Sequence, residues 1–289
     1  TTGSLKLGSN TFACSTFNAT FDSLVNLGGS TYKFSMAGGT TTFTGNNKTV
    51  SDSWADGNTN TGTCQLTYSG ATGTRTFGVG AGGVHLNITA GTDLLNLTGA
   101  VCKNLNFTGF TGTISAGTPT VYGSLTMVSG MTVTSFSVST VAATTPGTIT
   151  RGGKSCDGAV VFNGVGGTWT LQDAFTTTGS IKMTNGTLVT GGFAVSATLF
   201  GLNAGTKTLT LSTTVLTLTT TNTTVWDAAT NGTNFTLTAF TGTIKFTGVA
   251  KISKSACAAA ETRSVLMLSI SPADRACSNR AAFRPTPIT

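Results

Sequence analysis

The feature that most constrains this chain is threonine set against aliphatic residues in short runs, as in KTLTLSTTVLTLTTTNTTVWDA at residues 207–228, where charge is nearly absent. Threonine is β-branched and stiff at χ1, which suits a pleated strand better than a helix. Glycine supplies the corners between such strands. With 64 threonines and 38 glycines in 289 residues, this grammar governs most of the molecule. Segments such as TRTFGVG, GVHLNITAG, KNLNFTGF, MTVTSFSVST, GTWTLQD and NFTLTAF recur at roughly 8–12 residue spacings between turn residues. No helical period stands out, so the chain is predicted to be all-β with few helices.

Repetition separates a sandwich or barrel from a solenoid. GSLKLGSNTFACSTFNA from Gly3 resembles GTLVTGGFAVSATLFGL from Gly186, and NNKTVSDSWADGNTNTGTCQLTYSG from Asn46 resembles TNTTVWDAATNGTNFTLTAFTG from Thr221. Long β-repeats that fill a chain suit a β-solenoid, a β-helix-like rod in which each rung packs only on its neighbours. At about 20 residues per rung and about 4.8 Å per layer, residues 1–250 make about 12 rungs and a rod near 60 Å long. Leucine, valine, isoleucine and phenylalanine are expected in columns inside, with threonine ladders outside. The alternation in the opening run slips phase at Thr213 to Leu216, which predicts a corner between two faces.

Composition changes near residue 250. All the glycines precede it, while residues 251–289 carry three of the five prolines and only three threonines. This basic segment is predicted to hold a short helix at 255–263, a strand near 264–271 and an extended end. It reads as a cap or docking module, with an assembly tail and an extension unrelated to the fold as the other readings. Open solenoid ends expose strand edges, and an atypical terminal segment is the usual cover.

The formal net charge is +7, but six cations and two acids of that balance fall within residues 251–289. So thin a spread elsewhere is not a nucleic-acid footprint. No apolar run reaches the ~18 residues of a membrane helix, and the opening TTGSLKLG has no signal-peptide pattern, so a soluble, processed chain or fragment is expected. Six cysteines stand without CxxC spacing. Four read as small buried hydrophobes, while Cys257 and Cys277 could pair with each other. No metal or other cofactor is expected.

Catalytic material is sparse, with nine carboxylates and one histidine. His85 lies in an apparent strand with no triad order around it, and its expected role is structural. GVGAGG at 78–83 matches a dinucleotide fingerprint only formally, because VHLNIT rather than a helix follows. Asp52 and Asp56 around Trp54, and Asp157 with Asp173, are the carboxylate pairs a polysaccharide-cleaving enzyme would need, yet aspartate beside glycine or asparagine is chiefly a turn residue. Trp54, Trp169 and Trp226, with Tyr32, Tyr68 and Tyr122, offer flat faces to a sugar, though for Trp54 and Trp226, which fall in the repeated segments, packing between rungs is the favoured role. Nine Asn-x-Ser/Thr sequons, Asn87 and Asn234 among them, are no more than this composition produces by chance. Threonine arrays of the kind that bind ice need rungs whose threonines superpose. The uneven spacing here argues against that activity.

Several phrases together carry a resemblance: TYSGATGTRTFG at 67–78, HLNITAGTD at 85–93, KNLNFTGFTGTI at 103–114, VYGSLTMVSGMTV at 121–133 and VVFNGVGGTWTLQDAF at 160–175. They are similar to a family of Thr/Gly-rich repeat proteins of marine tailed phages and their metagenomic relatives, taken for virion structural or fibre proteins. The resemblance covers roughly residues 1–250 and stops at the glycine-free segment. It implies a non-enzymatic component of the virion surface, a fibre, spike or decoration protein of a bacteriophage, homotrimeric as fibres usually are. The partners implied are other virion proteins and host surface glycans. An extracellular filament or adhesin subunit is the alternative, and a polysaccharide depolymerase the third reading.

Overall fold

The computed structural model describes residues 85–247, apart from 93, 139–140, 142–144, 221–224 and 228–233, and outside this stretch the backbones of further strands. Among the described residues there is no helix. The strands pair in parallel with strands about one turn of chain away, which makes a β-solenoid with three faces.

Face 1 runs through Val84–Ile88, Leu105–Asn106, Leu125–Thr126 and Gly147–Thr150, then the end of Val160–Leu171, the end of Ser180–Val189, Lys207–Thr210 and Phe235–Thr238. Face 2 includes Leu94–Leu97 and Thr113–Gly117, and later Phe175–Thr177, Val195–Ala197, Val215–Leu218 and Thr243–Phe246. Face 3 carries Val101–Cys102, Thr120–Val121, Thr140–Val141, the beginnings of the two long strands, Leu199–Leu202 and Trp226–Asp227. The two long strands therefore run through the corner from face 3 to face 1, their pairing shifting register between Phe162 and Thr168. Beyond the fully described stretch, Met267–Ile270 adds to face 2 on Thr243–Phe246, where a strand near 264–271 is expected. The helix expected at 255–263 lies outside the described residues.

Register gives the turn length. Leu86 lies opposite Leu105 and Leu105 opposite Leu125, steps of 19 and 20 residues, whereas Thr208 opposite Thr236 is a step of 28. The rung expected from the sequence is about 20, and longer turns place their extra residues between strands rather than in them.

Strict alternation sends one side of each strand into a common core. On face 3, Cys102, Val121, Val141, Phe162, Met183 and Leu202 stack in one line and all are buried. On face 1, Leu86, Leu105, Leu125, Ile149 and Leu171 form a second line, with Trp169, Leu188 and Leu209 beside it. Each such side chain contributes about 1.5–3 kcal/mol by leaving water.

The corners explain the phase slips. At the corner from face 1 to face 2 the Thr214 amide donates to the Leu211 carbonyl at 2.7 Å, and Ser212 takes a positive φ of 53°. The corner expected at Thr213 to Leu216 is therefore present as a turn over Leu211–Thr214. The preceding rung turns in the same way, with the Phe193 amide donating to the Thr190 carbonyl and Gly191 at φ 64°. Phe240 holds the corresponding place in the next rung at φ 50°. At Gly186, φ is 91°, and a Cβ would stand 2.5 Å from the Gly164 carbonyl oxygen, so only glycine fits there.

Candidate functional site

On the outer side of face 1, threonines superpose. Thr168, Thr187, Thr208 and Thr236 lie opposite one another in successive rungs, and so do Thr170, Val189, Thr210 and Thr238. The residue between each pair, Trp169, Leu188, Leu209 or Leu237, faces inward. The motif is thus TWT, TLV, TLT and TLT, with Thr148 extending the second rank one rung earlier opposite Thr170. This overturns the objection drawn from uneven spacing: turn length varies from rung to rung, but the surplus falls in connecting segments and the strand register holds. The triplet itself was the available signal.

Hydroxyl bonding separates two kinds of threonine on the solenoid. At some positions the hydroxyl folds back on the backbone one turn away: Thr134 on Ile114, Thr177 on Gly158, Thr198 on Gly179 and Thr219 on Ala197. Among the described residues, the hydroxyls of Thr168, Thr170, Thr187, Thr208, Thr210, Thr236 and Thr238 make no hydrogen bond within the protein. They remain available to solvent.

Earlier on the same face the outward residues change. His85, Asn104 and Ser124 continue one rank, and Asn87, Asn106 and Thr126 form another. With Leu105 they line a shallow, open hollow of about 400 Å³. Its groups are partly committed. The Asn106 amide donates to the Asn87 side-chain oxygen at 3.3 Å, and the Asn104 side-chain oxygen accepts from the Ser124 amide at 2.8 Å. The buried Nε2 of His85 has no partner. Burial first, and the nearby Lys103 charge second, lower its pKa, so the imidazole is neutral at pH 7.

Inside the solenoid two cations are buried. Arg151 is fully enclosed: its Nε and Nη2 donate to the Lys154 carbonyl at 3.1 and 2.9 Å, its Nη1 to the Cys156 sulfur at 2.6 Å, and its guanidinium lies 5.3 Å from the centre of the Phe175 ring. Lys207 donates to the Gly205 carbonyl at 2.8 Å, and burial lowers its pKa. Composition gives no hint of either, since lysine and arginine are expected outside. The thiols follow expectation: Cys102 and Cys156 are free and buried. Burial pushes Cys102 up to about 12. It also raises Cys156, against the opposing pull of Arg151. Both are neutral, inert hydrophobes at pH 7.

The other sequence candidates take structural places. Trp169 is fully buried 5.3 Å from Phe162, with its Nε1 unpartnered, and Trp226, 5% exposed, stacks on Phe200 at 4.7 Å. With both rings inside, neither presents a face on which a sugar could lie, and the rung-packing alternative describes them. Asp173 does not gather with Asp157 around a substrate groove. Its carboxylate accepts the amides of Arg151 and Gly152 at 2.7 and 2.6 Å, while Asp157 accepts the Phe136 amide at 3.2 Å. Each ties its rung to the one before. Trp54, Asp52, Asp56 and the glycines of 78–83 lie outside the described residues, as do the side chains of Cys14, Cys64, Cys257 and Cys277. Among the described residues, no three of histidine, cysteine, aspartate and glutamate gather as a metal site.

No family model, no curated protein and no solved structure matches this chain.

Proposed function

We propose that the chain is a structural component of a virion surface: a fibre, spike or decoration element of a tailed phage that extends from the particle and presents its faces to host surface glycans. The observation that carries this reading is the unbroken parallel ladder of face 1, which runs through the described body and is clothed outside in neutral hydroxyls and amides. Such a ladder is a stiff spacer, because each rung is fixed to its neighbours by backbone hydrogen bonds and a continuous apolar core. The sequence resemblance supplies the setting, and fibres of that kind suggest assembly as a homotrimer with other virion proteins as partners.

Labelling decides it. An antibody against the chain is expected to mark purified particles at a fixed structural position, and the protein is expected to co-sediment with them. Polymerisation into fibres in the absence of any particle would transfer the reading to an extracellular filament or adhesin. Release of new reducing ends from surface polysaccharide would make it a depolymerase.

A further inference from the structure

We propose that the threonine array on the outer side of face 1 binds the surface of an ice crystal through a layer of ordered water. The proposal does not depend on the virion reading, and it gives the threonine half of face 1 a ligand other than the glycans named above.

The first argument is geometric. Adjacent rungs of a parallel sheet are about 4.8 Å apart, and residues two apart on a strand about 6.7 Å. Thr208 and Thr210, with their counterparts in the rungs on either side, therefore lay hydroxyls on a two-dimensional grid that extends over four rungs in register. These repeats lie near those of oxygen atoms on the faces of an ice crystal. Liquid water has no lattice to match, so a grid of this kind distinguishes the solid from the liquid.

The second argument is chemical and separate from the first. At several other positions threonine hydroxyls are turned back onto backbone carbonyls, and in this array all seven are left open. Each free hydroxyl can hold one water, and the γ-methyl beside it restricts the orientations of its neighbours. The array contains no charged residue, so no ion hydration shell disrupts the layer. Val189, the single departure from threonine, keeps the branched shape and lacks only the hydroxyl.

The third argument concerns entropy. A β-branched side chain on a strand has its χ1 restricted in advance, so fixing seven threonines on a lattice costs little. Each water contact is weak. Their regular arrangement makes adsorption collective, as in other multivalent binding.

The test uses the purified full chain in a supercooled droplet and in a frozen sucrose film. The wild type is expected to facet growing ice crystals and to slow recrystallisation. Thr208→Lys places a hydrated charge at the centre of the grid and is expected to raise the concentration needed for the same effect at least about tenfold. Val165→Lys, at an exposed corner tip away from the array, is expected to match the wild type. Melting curves show whether each variant is folded, and Thr236→Lys at the exposed end of the same rank serves if Thr208→Lys is not. Absence of faceting and of recrystallisation inhibition in the wild type overturns the proposal, and so does equal activity in folded array variants. Sedimentation with crystalline cellulose or chitin but not with ice overturns it in favour of a polysaccharide surface.

Discussion

The corner between faces 1 and 2 and the outer side of face 1 use the same kinds of residue in opposite ways. At the corner, polar groups are turned inward and saturated. Thr190 donates its hydroxyl to the Thr210 and Leu211 carbonyls at 3.0 and 2.9 Å and accepts from the Thr214 hydroxyl at 2.6 Å, while Arg151 is enclosed at the same corner two rungs earlier. On the outer side, Thr208 and Thr210 spend their side chains on nothing in the protein. Position in the rung, and not residue type, decides whether a threonine is structural cement or open surface.

Substitutions can break this contrast. The largest effect is expected for Arg151→Ala, which strands the Cys156 sulfur and the Lys154 carbonyl in the interior and leaves a void. It should cost about 3–5 kcal/mol, read as a lower midpoint in denaturant unfolding. Arg151→Met, which keeps the volume, is expected to cost clearly less.

Thr190→Val comes next. It removes a saturated buried hydroxyl and leaves the Thr214 hydroxyl without its acceptor, for a loss of about 1–3 kcal/mol. Adding Thr214→Val to that variant is expected to cost little more or to recover part of the loss, and a double-mutant cycle measures the coupling.

A smaller effect is expected from pH at His85. Its folded-state pKa is depressed, so below about 6.5 the unfolded chain binds the proton more readily than the folded one. Stability should therefore fall as pH is lowered through that value, and His85→Gln should remove this component of the melting temperature's pH dependence. The smallest effect belongs to the outer array: Thr208→Val is expected to change stability by no more than about 0.5 kcal/mol, and a larger loss would show that the array is structural after all.

Most of the architecture was legible because strand grammar is local. Alternation, glycine corners and the rung of about 20 residues follow from spacing, and the phase slip near Thr213 marked a true corner. Interior cations were not legible. Arg151 is held by its sequence neighbours Lys154 and Cys156, but only the fold turns it inward and brings Phe175 from the next rung over its guanidinium. The grid on face 1 was hidden for a related reason: turn length varies between 19 and 28 residues, and only pairing shows that Thr208 meets Thr236. The tryptophans stood out as possible sugar platforms because aromatic residues are conspicuous in so plain a composition, yet the same bulk packs Trp169 against Phe162 and Trp226 against Phe200 inside the core.

The two long strands that run from face 3 to face 1, Val160–Leu171 and Ser180–Val189, have a mechanical consequence. In a stacked parallel fold the interstrand hydrogen bonds lie along the rod, so a pull on its ends loads every bond of one rung boundary together and the boundaries one after another. The boundary between these two strands shares tension among more bonds than the one between Leu105–Asn106 and Leu125–Thr126, where each strand has two residues. Under load the rod parts first among its short strands, and the rungs joined through Ser180–Val189, Leu199–Leu202 and Lys207–Thr210 hold longer.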